Sequence, residues 1–176
     1  MDDVEALGPA AAALPEVERI ADEFLASGRA PGLGYAVVRG GVVVHAGGRG
    51  EARLGGPAPT SSSVFRIASM TKSFIAATLL ALRDEGRVVL DLPAATYVPE
   101  LSGLALPTRD SRPPTVRDLL TMSAGWPTDD PWADRSEAMT REELSSELTA
   151  GLTFDTAPGT AFDYSNLSYA VLGRIV

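Results

Sequence analysis

The sequence predicts an α+β domain on three observations. Two apolar, β-rich runs, Gly34 to Val38 and Val42 to Ala46, are joined by Arg39-Gly40-Gly41 and read as an antiparallel hairpin. An amphipathic helix precedes them, with Val17, Ile20, Ala21, Phe24 and Leu25 spaced along Pro15 to Ala26. Beyond the hairpin the pattern becomes mostly helical. A length of 176 residues suits one domain with a core of useful size.

The elements follow in order. Pro15 suits the first turn of the opening helix and Gly28 its stop. Glycine-rich stretches at Gly47 to Gly50 and Gly55-Gly56 predict turns beside a third strand. From Met70 to Leu82 nearly every residue is apolar or small, which predicts a helix buried on all sides. Asp84-Glu85-Gly86 ends it. Further helices are expected at Thr115 to Met122 and Thr140 to Thr149, with loops at Pro107 to Pro114 and Gly125 to Pro131. Ser165 to Val176 reads as an apolar helix whose pattern meets no closing glycine or polar turn, so the chain is expected to be an incomplete domain. Within it, residues 1–87 hold the first helix, the hairpin and the apolar helix, and residues 88–176 form a mostly helical region.

Composition removes several chemistries. A net charge of −8 argues against nucleic acid or an anionic membrane as partner. With no cysteine there are no disulfides, thiolate metal sites or cysteine nucleophiles. One histidine, His45, cannot build a zinc site by itself. No apolar run approaches the ~20 residues that span a bilayer, and no basic start precedes Ala10 to Leu14, so a cytoplasmic location is expected, or a secreted or periplasmic one if a leader was removed. Of 15 basic residues 14 are arginine, which singles out Lys72, and Asn166 is the one asparagine.

Lys72 follows Ser69 by three residues at the start of the apolar helix, so hydroxyl and amine share a face. Positions three and four residues from Lys72 are Ala68, Ser69, Ile75 and Ala76, none of them acidic. A lysine in an apolar helix without a local carboxylate must snorkel, find a distant partner or lose its proton, and a neutral amine can activate a serine. The helix amino end also sets a backbone N–H where a developing oxyanion can be stabilised. Alone, the spacing is a weak signal, because 14 serines in 176 positions give it by chance about 8% of the time. Tyr164-Ser165-Asn166 adds a second, independent element.

With Phe65 to Lys72, Leu119 to Gly125, Pro158 to Asn166 and Tyr169 to Gly173 read together, the chain from about Pro31 to Val176 resembles the serine β-lactamases and penicillin-recognising DD-peptidases. A tyrosine in the second motif points to the class C-like branch, which includes many esterases. The resemblance implies a β-lactamase/transpeptidase-like fold, an antiparallel sheet flanked by helices plus a helical region. It implies Ser69 as the acyl-accepting nucleophile, Lys72 and Tyr164 sharing the general base and acid work, and Asn166 binding the substrate acyl group. Substrates would be small-molecule esters, amides or β-lactams; no cofactor is implied. A third motif, a K-T-G or H-x-G strand that supplies the second oxyanion N–H, does not follow Tyr164 in these residues. The resemblance therefore implies an incomplete sheet, and as partner the remaining C-terminal half of the domain. Met122 stands where relatives often carry histidine, a difference that bears on packing more than chemistry.

Plainer roles exist for the same residues. Ser69 or Asn166 suits a helix cap, Lys72 an exposed face and Tyr164 a core. His45 lies on an alternating strand and reads as structural. Asp129, Asp130 and Asp134 lack cation-loop spacing and read as a solvated loop, and Gly32-Leu33-Gly34 lacks the third glycine of a dinucleotide site. Trp126 and Trp132 suit either loop packing or a cleft wall. Two other functions compete with the hydrolase. One is a non-catalytic binding module on the same scaffold; the other is Ser-His-Asp chemistry, disfavoured because Ser69 lacks the G-x-S-x-G elbow.

Overall fold

The computed structural model describes residues 8–128, 136 and 138–176, and the chain divides into two compact units, Met1–Arg66 and Ile67–Val176. The first unit opens with helix α1 (Leu14–Ala26), which has Pro15 in its first turn and buries Ala21. The Ser27 hydroxyl donates to the Phe24 carbonyl at 2.6 Å and Gly28 takes φ +70°, so the helix stops where its glycine allows the reversal. Strands β1 (Gly32–Arg39) and β2 (Val42–Gly50) then pair antiparallel, with Val37 opposite His45 and Gly32 opposite Gly50. Gly40 and Gly41 both have positive φ, the tight turn that the right-handed strand twist favours.

The glycines after Ala46 overturn one expectation. Gly47 to Gly50 belong to β2 instead of a turn, and among the described residues no third strand accompanies the hairpin. The reason is close approach. A Cβ at Gly48 would overlap the Pro59 carbonyl, and one at Gly47 would meet the Tyr35 ring, so bare backbone is what fits beside this strand. The His45 ring is tilted against Tyr35 with ring centroids 5.8 Å apart.

The second unit begins with a single 3₁₀ turn at Ala68–Met70 that leads into helix α2 (Thr71–Asp84). Here the expectation of burial on all sides fails. Ile75, Leu79 and Leu82 form the stripe turned to the core and Leu79 is fully buried, yet Phe74 is 65% exposed. Residues spaced by three or four share one face, and the described residues cover only that face.

Helix α3 (Val116–Leu120) is shorter than its pattern suggested, because Met122 turns into the left-handed region at φ +54°. Its Thr115 cap accepts from the Asp118 N–H while Asp118 accepts from the Thr115 N–H, a reciprocal capping box. Helix α4 (Arg141–Ala150) starts with the same device in Thr140 and Glu143, and α5 (Asn166–Ile175) is capped by the Ser165 hydroxyl, which accepts from Ser168 N–H at 3.0 Å. Leu79, Val116, Leu119, Leu148, Val171 and Leu172 lock α2 to α5 into one core. Trp126 is 2% exposed and tilts against Phe154 at 6.5 Å, so it is a core residue. Asp129, Asp130, Asp134 and Trp132 lie outside the described residues.

Backbone bonds strap the long loop before α5 to the turn after α3. Asp155 N–H donates to Gly125 O at 2.9 Å, Gly159 N–H to Ser123 O at 2.7 Å, and Asp163 N–H to Met122 O at 2.8 Å. The left-handed Met122 thus has a backbone consequence: its carbonyl holds the residue next to Tyr164. The far end of α5 is anchored by Arg174, which donates to Glu100 at 2.7 Å and to the Ser145 hydroxyl at 2.8 Å. Among the described residues no helix is long and apolar enough to cross a membrane.

Candidate active site

Ser69, Lys72, Tyr164 and Asn166 all stand in the second unit, and the fold brings their polar atoms together. Ser69 lies in the 3₁₀ turn before α2 and Lys72 in the first turn of α2. The backbone enters this turn through Ala68 at φ +45°, a left-handed conformation that costs a non-glycine residue about 1–2 kcal/mol. The strain sits directly before the serine, and the Met70 N–H to Ile67 O bond at 3.1 Å helps hold it.

Tyr164 and Asn166 arrive from the other side of the core at the start of α5. The strapped loop ends at Asp163, Ser165 caps the helix, and Asn166 is its first residue. Capping therefore falls to Ser165, and the Asn166 side chain is turned elsewhere. The Ser69 hydroxyl and the Tyr164 hydroxyl lie 2.7 Å apart. The Lys72 amine donates to Ser69 Oγ at 3.1 Å, to Tyr164 Oη at 2.8 Å and to Asn166 Oδ1 at 2.6 Å. Three hydrogen bonds use the full donor capacity of an ammonium group. None of the three acceptors carries a carboxylate.

Exposure differs across the cluster in a useful way. Ser69 is exposed, so a reactant can reach its oxygen, whereas Lys72, Tyr164 and Asn166 are half-buried behind it. A phenol and an amine touching the same hydroxyl can take its proton and return it to a leaving group. Ser69 itself stands before the first turns of α2, where backbone N–H groups lack intrahelical partners. Among the described residues no group of three or more His, Cys, Asp or Glu is placed to hold a metal ion.

Sequence reading assigned no role to Tyr169, three residues past Asn166. Its ring centroid lies 5.8 Å from the Lys72 amine, and its hydroxyl donates to Leu120 O at 3.1 Å. The i, i+3 spacing from Asn166 was the available signal, since it sets both residues on one face of α5. A second unassigned group is Asp118, buried at the base of α3. It accepts from both terminal nitrogens of Arg112, and that guanidinium lies where a Cβ on Gly159 would have to go. The pair therefore packs under the loop that delivers Tyr164.

The family model described as Beta-lactamase matches residues 17–176. The chain belongs to the β-lactamase family. It is 32% identical over 161 residues to the D-alanyl-D-alanine-carboxypeptidase/endopeptidase AmpH of Escherichia coli, covering 89% of this chain and 41% of that protein. The octameric penicillin-binding protein homologue from Pyrococcus abyssi superposes with a TM-score of 0.76 at 28% identity, over 92% of this chain and 38% of that one. A class C β-lactamase superposes with a TM-score of 0.73 at 24% identity, over 99% of this chain and 44% of its own, a likeness of fold. The expected β-lactamase/transpeptidase-like α+β fold is thus the one present. The chain spans about two fifths of the length of these β-lactamase-family relatives.

Proposed function

We propose that this β-lactamase-family chain carries the acylating centre of a serine hydrolase, of the class C-like kind, acting on a small-molecule ester, amide or β-lactam. The observation that carries this reading is one hydroxyl in contact with both a phenol and an amine, on the reachable side of the cluster. Ser69 Oγ attacks the carbonyl carbon. Its proton passes to the Lys72–Tyr164 pair, which is joined by a 2.8 Å bond and acts as base when it holds one proton fewer than ammonium plus phenol. The carbonyl oxygen gains negative charge near the amino end of α2. The same pair returns the proton to the leaving group, and water later attacks the acyl-serine with the pair again as base. Asn166 holds the amine through its side-chain oxygen, and the family resemblance gives it contact with the substrate acyl group.

The family match and the AmpH relative support the hydrolase class, and the tyrosine-bearing second motif supports the class C-like branch. Intact-mass measurement after treatment with a fluorophosphonate or penicillin tests it. One covalent adduct at Ser69, absent from Ser69→Ala, is expected. A protein that forms no adduct and turns over no ester would instead favour a non-catalytic binding module.

A further inference from the structure

We infer that Tyr169 is the positioning residue for the Lys72 amine, its ring face standing by a group to which no described residue offers a carboxylate. The inference rests on the acyl-transfer reading above for its consequence, though not for its geometry. The lysine stem is flexible, and the amine at its end is held by hydrogen bonds to Ser69, Tyr164 and Asn166. The Tyr169 ring supplies a wall on another side: the Lys72 amine lies over it at 5.8 Å, inside the range of a cation–π contact.

The Tyr164 ring centroid is nearer, at 4.8 Å, but there the amine bonds to the phenol oxygen at 2.8 Å, so that contact is a hydrogen bond. Tyr169 is held in turn. It lies one helical turn past Asn166 on α5, packs against the core, and donates its hydroxyl to Leu120 O at 3.1 Å. Burial first, and then the neighbouring Tyr164, push its phenol above the ordinary tyrosine range, so it stays a protonated donor to that carbonyl. The ring is thereby clamped at the end of α3 while its face serves the amine.

Lys72 is the one lysine of this 176-residue chain, which makes a direct test possible. Lysine labelled with ¹³C at Cε gives a single side-chain CεH₂ correlation. In the unsubstituted protein this line is expected upfield of free lysine, with a nuclear Overhauser contact to the Tyr169 ring protons. Tyr169→Phe keeps the shift, and Tyr169→Leu moves it toward free lysine. Acylation of Ser69 by a fluorophosphonate slows about tenfold in Tyr169→Leu and stays within about twofold in Tyr169→Phe. No contact between the Lys72 line and the Tyr169 ring, or equal acylation rates in all three proteins, overturns the inference. Should Tyr169→Leu fail to fold, the unsubstituted protein and Tyr169→Phe still decide through the contact and the shift. If Ser69 takes no adduct at all, the acyl-transfer reading fails separately, while the Lys72 line continues to report on Tyr169.

Discussion

Replacing Asp118 by asparagine should destabilise the second unit, and the loss should fade in acid. The Asp118 side chain is 6% exposed and satisfies four donors: the two terminal nitrogens of Arg112, the Thr115 N–H at 2.8 Å and the Thr115 hydroxyl at 2.8 Å. Asparagine keeps one acceptor oxygen and turns an NH₂ toward groups that are themselves donors. A lost cap contact is worth about 1 kcal/mol, and a hydrogen bond to a charged group about 1.5–3 kcal/mol. Arg112 is half-exposed and can turn to water, which removes part of the penalty that a buried pair would carry. The net loss expected at pH 7 is about 2–3 kcal/mol, or a fall in Tm of about 5–12 °C.

The pH dependence has a definite sign. Burial alone would push the Asp118 carboxyl up, but the Arg112 and Thr115 hydrogen bonds outweigh it and hold the carboxyl below its ordinary range. A carboxyl lowered by folding stabilises above its unfolded pKa of about 3.9 and loses that contribution as pH falls through the folded value. Thermal unfolding followed by circular dichroism at pH 7, and in steps from pH 5 to pH 2, measures this. The gap between the two proteins should be full at pH 7 and narrow below about pH 4. A loss under about 0.5 kcal/mol, or a gap unchanged at pH 2, would refute the assignment of Asp118 as the charged base of the loop.

Two further outcomes follow. Lys72→Arg keeps the positive charge but cannot give up its proton, so fluorophosphonate acylation should fall at least ~100-fold with an unchanged circular dichroism spectrum; an unaltered rate would remove Lys72 from proton transfer. Gly125→Ala should cost at least about 2 kcal/mol in urea unfolding, because Gly125 has φ +84° and a Cβ there overlaps the Thr156 carbonyl. A near-neutral result would mean that the strap between Gly125 and Asp155 is not tight.

How far the sequence reached depends on how local each feature is. The α1 helix, the hairpin with its double-glycine turn and the capped α4 helix rest on contacts within a few residues, so spacing and turn chemistry predicted them. The shared face of Ser69 and Lys72 is equally local, one turn of one helix. Gly47 to Gly50 were misread because a glycine needed for close approach to Pro59 looks, in one dimension, like a glycine needed for a turn. The exposed side of α2 was misread for a related reason: an apolar residue shows that burial is favourable without showing whether a neighbour covers it.

The sequence by itself determined the chemical inventory. It supplied one lysine, a serine one turn before it, a tyrosine and an asparagine two residues apart, and no cysteine to compete with them. Tertiary structure alone decided that Tyr164 and Asn166, more than ninety residues onward, meet Ser69 and Lys72 within 3.1 Å. It also decided that Tyr169 lies beneath the amine and that Asp118 supports the loop beneath Gly159. The physical reason is that residue types and local periodicity are written along the chain. A contact across so many residues exists only after core packing and loop straps have offset the entropy of bringing its ends together.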